Sequence, residues 1–199
     1  TKDFDYMLRD SRAKALIVSH ALLPAFESLI GKIDTLQTVI VAGQTEGGSH
    51  LSMDQLLAQA GAERQCAATC SDDVCFWLYS SGSTGSPKGT VHLHSHIIQT
   101  AELFGIGILG IRESDVVYSA AKLFFAYGLG NALSFPMSVG ATTVLLPARP
   151  TPQDVFGILQ KHKPTIFYGV PTLYAGLMAD PKRPSRDALH LRVCTSAGE

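Results

Sequence analysis

The residues with the clearest chemical potential form a single run, Ser80-Ser81-Gly82-Ser83-Thr84-Gly85-Ser86-Pro87-Lys88-Gly89. Its glycines allow tight backbone turns that bring N–H groups close to an anion, its hydroxyls can donate to phosphate oxygens, and Lys88 adds a mobile positive charge. The run follows Val74-Cys75-Phe76-Trp77-Leu78-Tyr79, an apolar stretch typical of a buried strand. The pattern therefore predicts a phosphate-binding loop that follows a strand, at the edge of a sheet.

The order of residues in this run separates it from other loops. The Walker pattern needs a glycine directly before its lysine, whereas Pro87 precedes Lys88 and Gly89 follows it. A flexible Gly/Ser-rich linker would not explain a Pro-Lys-Gly ending after an apolar strand. The run resembles the phosphate signature (S/T)-(S/T)-G-(S/T)-T-G-x-P-K-G of the adenylate-forming superfamily at every defined position. That superfamily contains acyl-CoA synthetases, luciferases and the adenylation domains of peptide synthetases.

A second segment narrows this resemblance. Residues 121–131 read A-K-L-F-F-A-Y-G-L-G-N and follow a predicted strand end, where open α/β sheets place their ligand crevices. Many acyl- and aryl-CoA ligases have P-x-F-H-x-x-G here, and Phe125 stands in place of the histidine. This departure, together with F-Y-G-x-P-T at 167–172 and S-A-G-E at 196–199, resembles bacterial benzoate-CoA ligases. The similarity extends over residues 74–199.

The resemblance implies a role for each matching residue. The residues that would hold the ATP phosphates are Ser80, Ser81, Gly82, Ser83, Thr84, Gly85 and Lys88, with Lys88 as a charge clamp. The residues that would lie beside the adenine ring are Ser196, Ala197, Gly198 and Glu199. The residues that would form the wall against the acid are Phe125, Ala126, Tyr127 and Gly128.

The implied reaction has two steps and uses ATP, Mg²⁺ and coenzyme A. The acid attacks the α-phosphate to give an acyl-adenylate and pyrophosphate, and the thiol of coenzyme A then displaces AMP. Phosphate donors arranged in advance are the main aid that proteins give to such transfers. The family's Mg-binding Glu, ribose-binding Asp and catalytic lysine are expected beyond residue 199. We therefore expect an internal fragment, inactive alone, with neither a catalytic residue nor a metal ligand of its own.

The composition of the wall favours benzoate as the acid. A flat ring packs well on Phe125 and Tyr127, and the small Ala126 leaves room for it. A polar ring would need a buried partner, and the segment assigns none. The aromatics could instead be ordinary core residues. Two other functions stay open: a ligase for a related acid such as 4-hydroxybenzoate or cyclohexenecarboxylate, and a non-catalytic nucleotide-binding module.

Overall composition is that of a soluble globular domain. The chain has 199 residues, 46% hydrophobic and 17% charged, with a net charge of −1 and no basic cluster, which gives no support for a nucleic-acid partner. No apolar run reaches the length of about 20 residues needed to span a bilayer, and no signal segment opens the chain. A cytoplasmic location without membrane attachment is expected.

The cysteines and histidines have plain interpretations. The thiols Cys66, Cys70, Cys75 and Cys194 form no C-x-x-C pair and are predicted to be reduced. A site built from Cys66, Cys70 and a histidine fits no zinc spacing. A V-H-x-H run after the phosphate loop recurs in the superfamily, and its histidines are predicted to pack and orient the loop.

Short apolar runs alternate with helical patterns along the chain. The predicted strands cover residues 15–18, 39–42, 74–79, 116–119, 142–146, 165–168 and 191–195. The predicted helices cover residues 4–12, 53–60, 96–109 behind a Ser95 cap, 130–138 with an interruption at Pro136, a stretch from Pro152, and 171–179. This alternation predicts an α/β fold of mainly parallel sheets covered by helices. Residues 1–199 are expected to form part of one N-terminal AMP-binding domain, without the C-terminal domain.

Overall fold

The computed structural model describes residues 2–43, 48–62, 65–81, 85 and 87–197, with Ser81 described by its backbone alone. Two compact units emerge: one contains residues 1–69 and 76–91, and the other contains residues 70–75 and 92–199. In the described segments, no helix is both long enough and apolar enough to cross a membrane.

The first part of the chain forms a small parallel sheet and a two-stranded sheet. Its elements are α1 (Lys2–Asp10), β1 (Ala15–Ser19), a 3₁₀ helix (His20–Ala25), β2 (Thr38–Ala42), β3 (Leu51–Ser52), α2 (Met53–Gln59), β4 (Val74–Ser81) and β5 (Pro87–Leu93). The parallel sheet has the order β1-β2-β3, and β4 pairs with β5. β-branched residues such as Val18 and Val41 favour strands, and both are buried in the core of this unit.

The second unit is built on a four-stranded parallel sheet. Its elements are α3 (His94–Thr100), a π-helix (Ala101–Ile106), β6 (Val116–Ser119), α4 (Ala126–Leu129), a π-helix (Gly130–Ser134), α5 (Phe135–Val139), β7 (Thr142–Val144), α6 (Pro152–His162), β8 (Ile166–Gly169), α7 (Pro171–Ala179), a 3₁₀ helix (Arg186–Ala188) and β9 (Val193–Ser196). The strand order is β7-β6-β8-β9, and every pair is parallel. The predicted α/β class with mainly parallel sheets is confirmed.

Both faces of this sheet are buried. Tyr118 and Phe167 stack at a centroid distance of 5.4 Å on the face covered by α6 and α7. Val117, Ile166 and Tyr168 alternate with them and belong to a separate core cluster that also contains Phe135 of α5. Because successive strand residues point to opposite faces, the apolar run of β8 supplies both cores.

Several predicted helices differ from the structure at their boundaries: the helix expected at residues 4–12 is α1 at Lys2–Asp10, and the one expected at 53–60 ends at Gln59. The helix expected behind Ser95 begins at His94, with Leu93 as its N-cap, and Leu93 N–H donates to His96 Nδ1 at 3.3 Å. It then continues as the π-helix, where Gly105 lies so close to Phe135 that a Cβ would be 3.1 Å from the ring. Pro136 does not interrupt its helix, because the π-helix at Gly130–Ser134 continues directly into α5.

An ion pair joins three segments at the N-terminal end of the sheet. Asp115, only 3% exposed, accepts from Arg192 Nε at 2.8 Å, from the Thr165 hydroxyl at 2.7 Å and from Arg112 N–H at 2.8 Å. Arg192 also donates to Gly110 O at 2.8 Å. The hydrogen bonds from Arg192 lower the pKa of Asp115 to about 2, although burial of the carboxylate opposes this shift. The network fixes where β6, β8 and β9 begin.

Asp115→Asn is expected to lower the free energy of unfolding by about 3 kcal/mol, because it leaves a partly buried guanidinium without its counter-charge. Urea denaturation measures the change. The matched control is Asp5→Asn, which breaks the exposed Asp5–Arg9 pair and should cost about 1 kcal/mol or less. Equal costs for the two variants would contradict a structural role for the buried pair.

The same substitution has a pH signature. Since folding lowers the pKa of Asp115 from 3.8 to about 2, its stabilisation is fully present above about pH 4 and is lost as the pH falls towards 2. The stability difference between the unaltered protein and Asp115→Asn should therefore shrink over that window. A difference that stays constant from pH 5 to pH 2 would show that the carboxylate does not titrate as described.

Candidate functional site

The predicted phosphate loop lies between β4 and β5. Ser80 and Ser81 end β4, and Gly85 has a φ of +95°, in the left-handed region where only glycine is unstrained. Lys88 is exposed on β5. Gly82, Ser83, Thr84 and Ser86 lie outside the described residues.

The strands beside the loop explain the glycine that ends its motif. A Cβ at Gly89 would lie 3.1 Å from both Trp77 and Tyr79, so these rings occupy the space of a side chain there. Tyr79 donates its hydroxyl to Asp10 Oδ2 at 2.6 Å, which ties β4 to the end of α1. Burial, followed by the bond to Asp10, raises the pKa of Tyr79 to about 12, so the donor persists at neutral pH. β4 is half-buried, not fully buried as its composition predicts, because a two-stranded sheet covers its strands incompletely.

The histidines that follow the loop make local contacts. The rings of His92 and His96 meet edge to face at 5.6 Å, and His96 Nδ1 accepts the N–H of Leu93. His94 opens α3.

A cavity of about 680 Å³ opens in the second unit, at the carboxyl ends of β6 and β7. One side is residues 119–125, which follow β6, and the other comes from residues 145–147, 149 and 150, which follow β7. Phe124 and Phe125, 74% and 56% exposed, are both part of its lining, and their ring centroids are 4.5 Å apart. The carboxyl end of a parallel sheet is the usual place for a ligand crevice.

A tight turn presents Phe125 to this cavity. Phe125 N–H donates to Lys122 O at 3.0 Å, and Phe125 is the N-cap of α4. Gly128 packs beneath the turn, where a Cβ would lie 2.0 Å from Lys122 O and 2.6 Å from Ala121 O. Ala126 is exposed at the start of α4. Phe125 thus lines the cavity. Gly128 allows the tight turn because it has no side chain to collide with the Lys122 carbonyl.

Tyr127 points elsewhere. Its hydroxyl shares a hydrogen bond of 2.7 Å with Thr195 Oγ1 of β9, and its ring meets Tyr168 edge to face at 6.4 Å. Burial raises the pKa of Tyr127, so its hydroxyl stays protonated at neutral pH. Of the four predicted wall residues, Phe125 belongs to the cavity lining, whereas Ala126, Tyr127 and Gly128 do not. Tyr127 instead links α4 to β9.

The end of β9 carries the residues predicted to lie beside adenine. Ser196 is the last residue of β9, and Ala197 N–H donates to Gly169 O at 3.4 Å. Tyr174 of α7 donates its hydroxyl to Thr195 O at 3.0 Å and to Phe167 O at 3.2 Å. Its ring fits only because Gly169 has no Cβ, which would lie 2.6 Å from it. Gly198 and Glu199 lie outside the described residues.

Sequence reasoning assigned no role to Lys122, Thr195 or Tyr174. Lys122 stands within the quoted A-K-L-F-F stretch, and Tyr174 follows the F-Y-G-x-P-T motif by two residues, so both lay within reach of the motifs. Most of their hydrogen bonds join residues that are 21 to 68 positions apart in the chain. Local sequence patterns do not reveal such contacts. Among the residues that the structure describes, no group of three His, Cys, Asp or Glu side chains could hold a metal ion.

Comparison with known proteins identifies the family. The AMP-binding enzyme family matches residues 1–199. Benzoate-CoA ligase of Thauera aromatica is 58% identical over 197 residues, which cover 99% of this chain and 37% of that protein. The 4-hydroxybenzoate-CoA/benzoate-CoA ligase of Rhodopseudomonas palustris is 48% identical over 197 residues, 98% of this chain and 36% of that one. The crystal structure of the anthranilate CoA ligase AuaEII in complex with anthranoyl-AMP is 38% identical, with a TM-score of 0.91, over all of this chain and 38% of that chain.

The chain belongs to the AMP-binding enzyme family, and its fold is part of the N-terminal domain of adenylate-forming enzymes. The resemblance to benzoate-CoA ligases found in the motifs is confirmed by the identity over nearly the whole chain. The chain spans 37% of the length of the Thauera relative.

Gly128→Ala is expected to lower the free energy of unfolding by about 2–3 kcal/mol, because the methyl group would overlap the carbonyl of Lys122 and force the turn open. Urea denaturation measures the loss.

The control for this substitution is Gly157→Ala in α6, where a Cβ meets nothing within 4 Å. It should stabilise the protein by about 0.5–1 kcal/mol, because alanine is the better helix residue. Tolerance of alanine at position 128 would mean that the turn does not require the close approach.

Proposed function

We propose that this chain is part of the adenylation domain of an AMP-forming aryl-CoA ligase whose acid is benzoate. The observation that carries the proposal is the turn at residues 122–128, which presents Phe125 to an apolar cavity at the carboxyl end of a parallel sheet. The 58% identity to a benzoate-CoA ligase supports it. Since the reaction consumes ATP and coenzyme A, we place it in the cytoplasm, where both are supplied.

The proposed reaction proceeds by two displacements. A carboxylate oxygen of benzoate forms a bond to the α-phosphorus of ATP while the bond to the β-phosphate oxygen breaks, which gives benzoyl-AMP and pyrophosphate. The thiol of coenzyme A, after losing its proton, then attacks the carbonyl carbon, and AMP leaves. Mg²⁺ would offset the phosphate charge when bound. We expect its ligands to lie outside the residues that the structure describes.

In this proposal the residues of the chain bind and orient the reactants. Lys88, exposed on β5 beside the loop, neutralises phosphate charge as a mobile cation. The backbone N–H of Gly85 would donate to a phosphate oxygen. Phe125 offers an aromatic face to the ring of the acid. Ser196 and Ala197 place the end of β9 beside the adenine.

The polar groups at the cavity favour an unsubstituted ring. The Ser119 hydroxyl donates to Ala121 O at 3.2 Å, and Lys122 Nζ donates to Ala148 O at 2.6 Å. A ring hydroxyl placed beside these groups would compete with bonds that already exist, at a cost of about 1–3 kcal/mol if it stayed unpaired. The second candidate is 4-hydroxybenzoate, because the R. palustris relative carries that acid in its name. A module that only binds nucleotide would have no use for this cavity.

Lys88→Ala in the full-length enzyme is expected to raise the KM for ATP about 30-fold, as the loss of a charge-assisted contact to phosphate predicts. The KM for benzoate should stay within about twofold, because Lys88 would not touch the acid. Benzoate-dependent exchange of pyrophosphate into ATP measures both constants, with the 199-residue chain alone as a sample expected to show no exchange. An unchanged ATP requirement would remove Lys88 from the phosphate site.

Ala126→Phe in the full-length enzyme should impair use of the acid and leave ATP binding nearly unchanged. Ala126 is exposed at the start of α4, so the fold can accept a larger residue, while the added ring would fill space proposed for the acid. We expect benzoate-dependent exchange to fall at least about 100-fold and ATP binding, followed by calorimetry, to change less than about twofold. Unchanged benzoate turnover would place the acid away from Ala126.

A further inference from the structure

The two sides of the cavity diverge at a defined point. β6 and β7 pair in parallel from Val116–Thr142 to Tyr118–Val144, and in the described part of the chain their pairing ends there. From there the chain after β6 and the chain after β7 separate, and the cavity opens between them. Backbone hydrogen bonds therefore set the distance between the two sides at the floor of the cavity, but not along its walls.

Lys122 bridges the two walls above this point. Its Nζ donates to Leu146 O and also to Ala148 O, the latter at 2.6 Å. Over the described residues, these are the hydrogen bonds between residues 119–125 and 145–150. Pro147 lies between the two accepting carbonyls, and a proline restricts both its own φ and the residue before it. The ammonium thus holds a segment with little backbone freedom.

The backbone of Lys122 holds the aromatic side of the cavity. Its carbonyl accepts the N–H of Phe125 at 3.0 Å and faces the Cα of Gly128, where no Cβ would fit. A shift of Lys122 would therefore move Phe125 with it. One residue connects the ring that lines one wall to the backbone of the opposite wall.

We infer that Lys122 is a positioning residue that sets the width of the acid cavity and so limits the size of the acids it accepts. The inference rests on the proposed function for its substrate, although the clamp itself does not. Two of the three N–H donors of the ammonium are used by carbonyls of the opposite wall, so the role assigned to Lys122 acts through the walls. Without the clamp, no hydrogen bond among the described residues would join the segment at 145–150 to the wall that carries Phe125.

The test compares three variants of the full-length enzyme. Lys122→Met keeps most of the apolar stem and removes the donors, Lys122→Arg keeps donors, and Lys161→Met removes an exposed lysine from the last turn of α6. Deuterium uptake in peptides covering residues 144–150 reports on the clamp. Pyrophosphate exchange with benzoate and with the bulkier 4-tert-butylbenzoate reports on the cavity.

For Lys122→Met we expect faster deuterium uptake at 144–150 and a benzoate KM raised about tenfold, with the KM for ATP within about twofold. The ratio of kcat/KM for 4-tert-butylbenzoate to that for benzoate should rise at least about fivefold, because a wider cavity penalises the larger acid less. In Lys122→Arg, the deuterium uptake, the benzoate KM and the ratio of kcat/KM should stay close to those of the unaltered enzyme. Lys161→Met should change none of the three.

Several results would overturn the inference. Uptake at 144–150 that is already complete in the unaltered enzyme, or equal in Lys122→Met, would show that no clamp exists. A benzoate KM that rises with unchanged uptake and unchanged size preference would indicate direct contact between Lys122 and the acid. If the unaltered enzyme activates no aryl acid, the proposed function fails, and the uptake comparison alone decides whether Lys122 clamps the walls.

Discussion

The end of the β6–β7 pairing at Tyr118 and Val144 is the constraint on which the site depends. Parallel strands cannot be joined by a short turn, so the chain leaves each strand at the same edge and must return by a separate path. At that edge the segments after β6 and β7 separate and leave a cavity. Its shape then depends on side chains, above all on the ammonium of Lys122 and the close packing of Gly128.

A second set of contacts holds the opposite flank of the same sheet. Tyr127 and Tyr174 both bond to Thr195, one through its hydroxyl and the other through its carbonyl. The N-terminal ends of the strands are fixed by the Asp115–Arg192 pair, so β9 is tied at both ends. In the proposed ligase, α4 would carry the acid wall and β9 would flank the nucleotide. The hydroxyl bond between Tyr127 and Thr195 would then hold these two parts of the site at a fixed separation.

Sequence reasoning succeeded where the determining interactions are local. It predicted the bounds of β6 and α7, and the start of α6 at Pro152, because proline positions and apolar runs identify them. It did not predict the π-helix at 101–106, in which Gly105 packs closely against the distant Phe135. It proposed that Tyr127 lies against the acid, and it did not predict that the hydroxyl of Tyr127 pairs with a residue 68 positions away. The direction of a side chain on a short helix depends on such distant partners.

The central claim is that the cavity beside Phe125 accepts an apolar aromatic acid for activation by ATP. It is tested most directly by AMP formation in the full-length enzyme with ATP, Mg²⁺ and coenzyme A. The acids to compare are benzoate, 4-hydroxybenzoate, 2-aminobenzoate, cyclohexanecarboxylate and a fatty acid. The account predicts the highest kcat/KM for benzoate. A preference for the fatty acid, or AMP formation that does not depend on any of these acids, would contradict it.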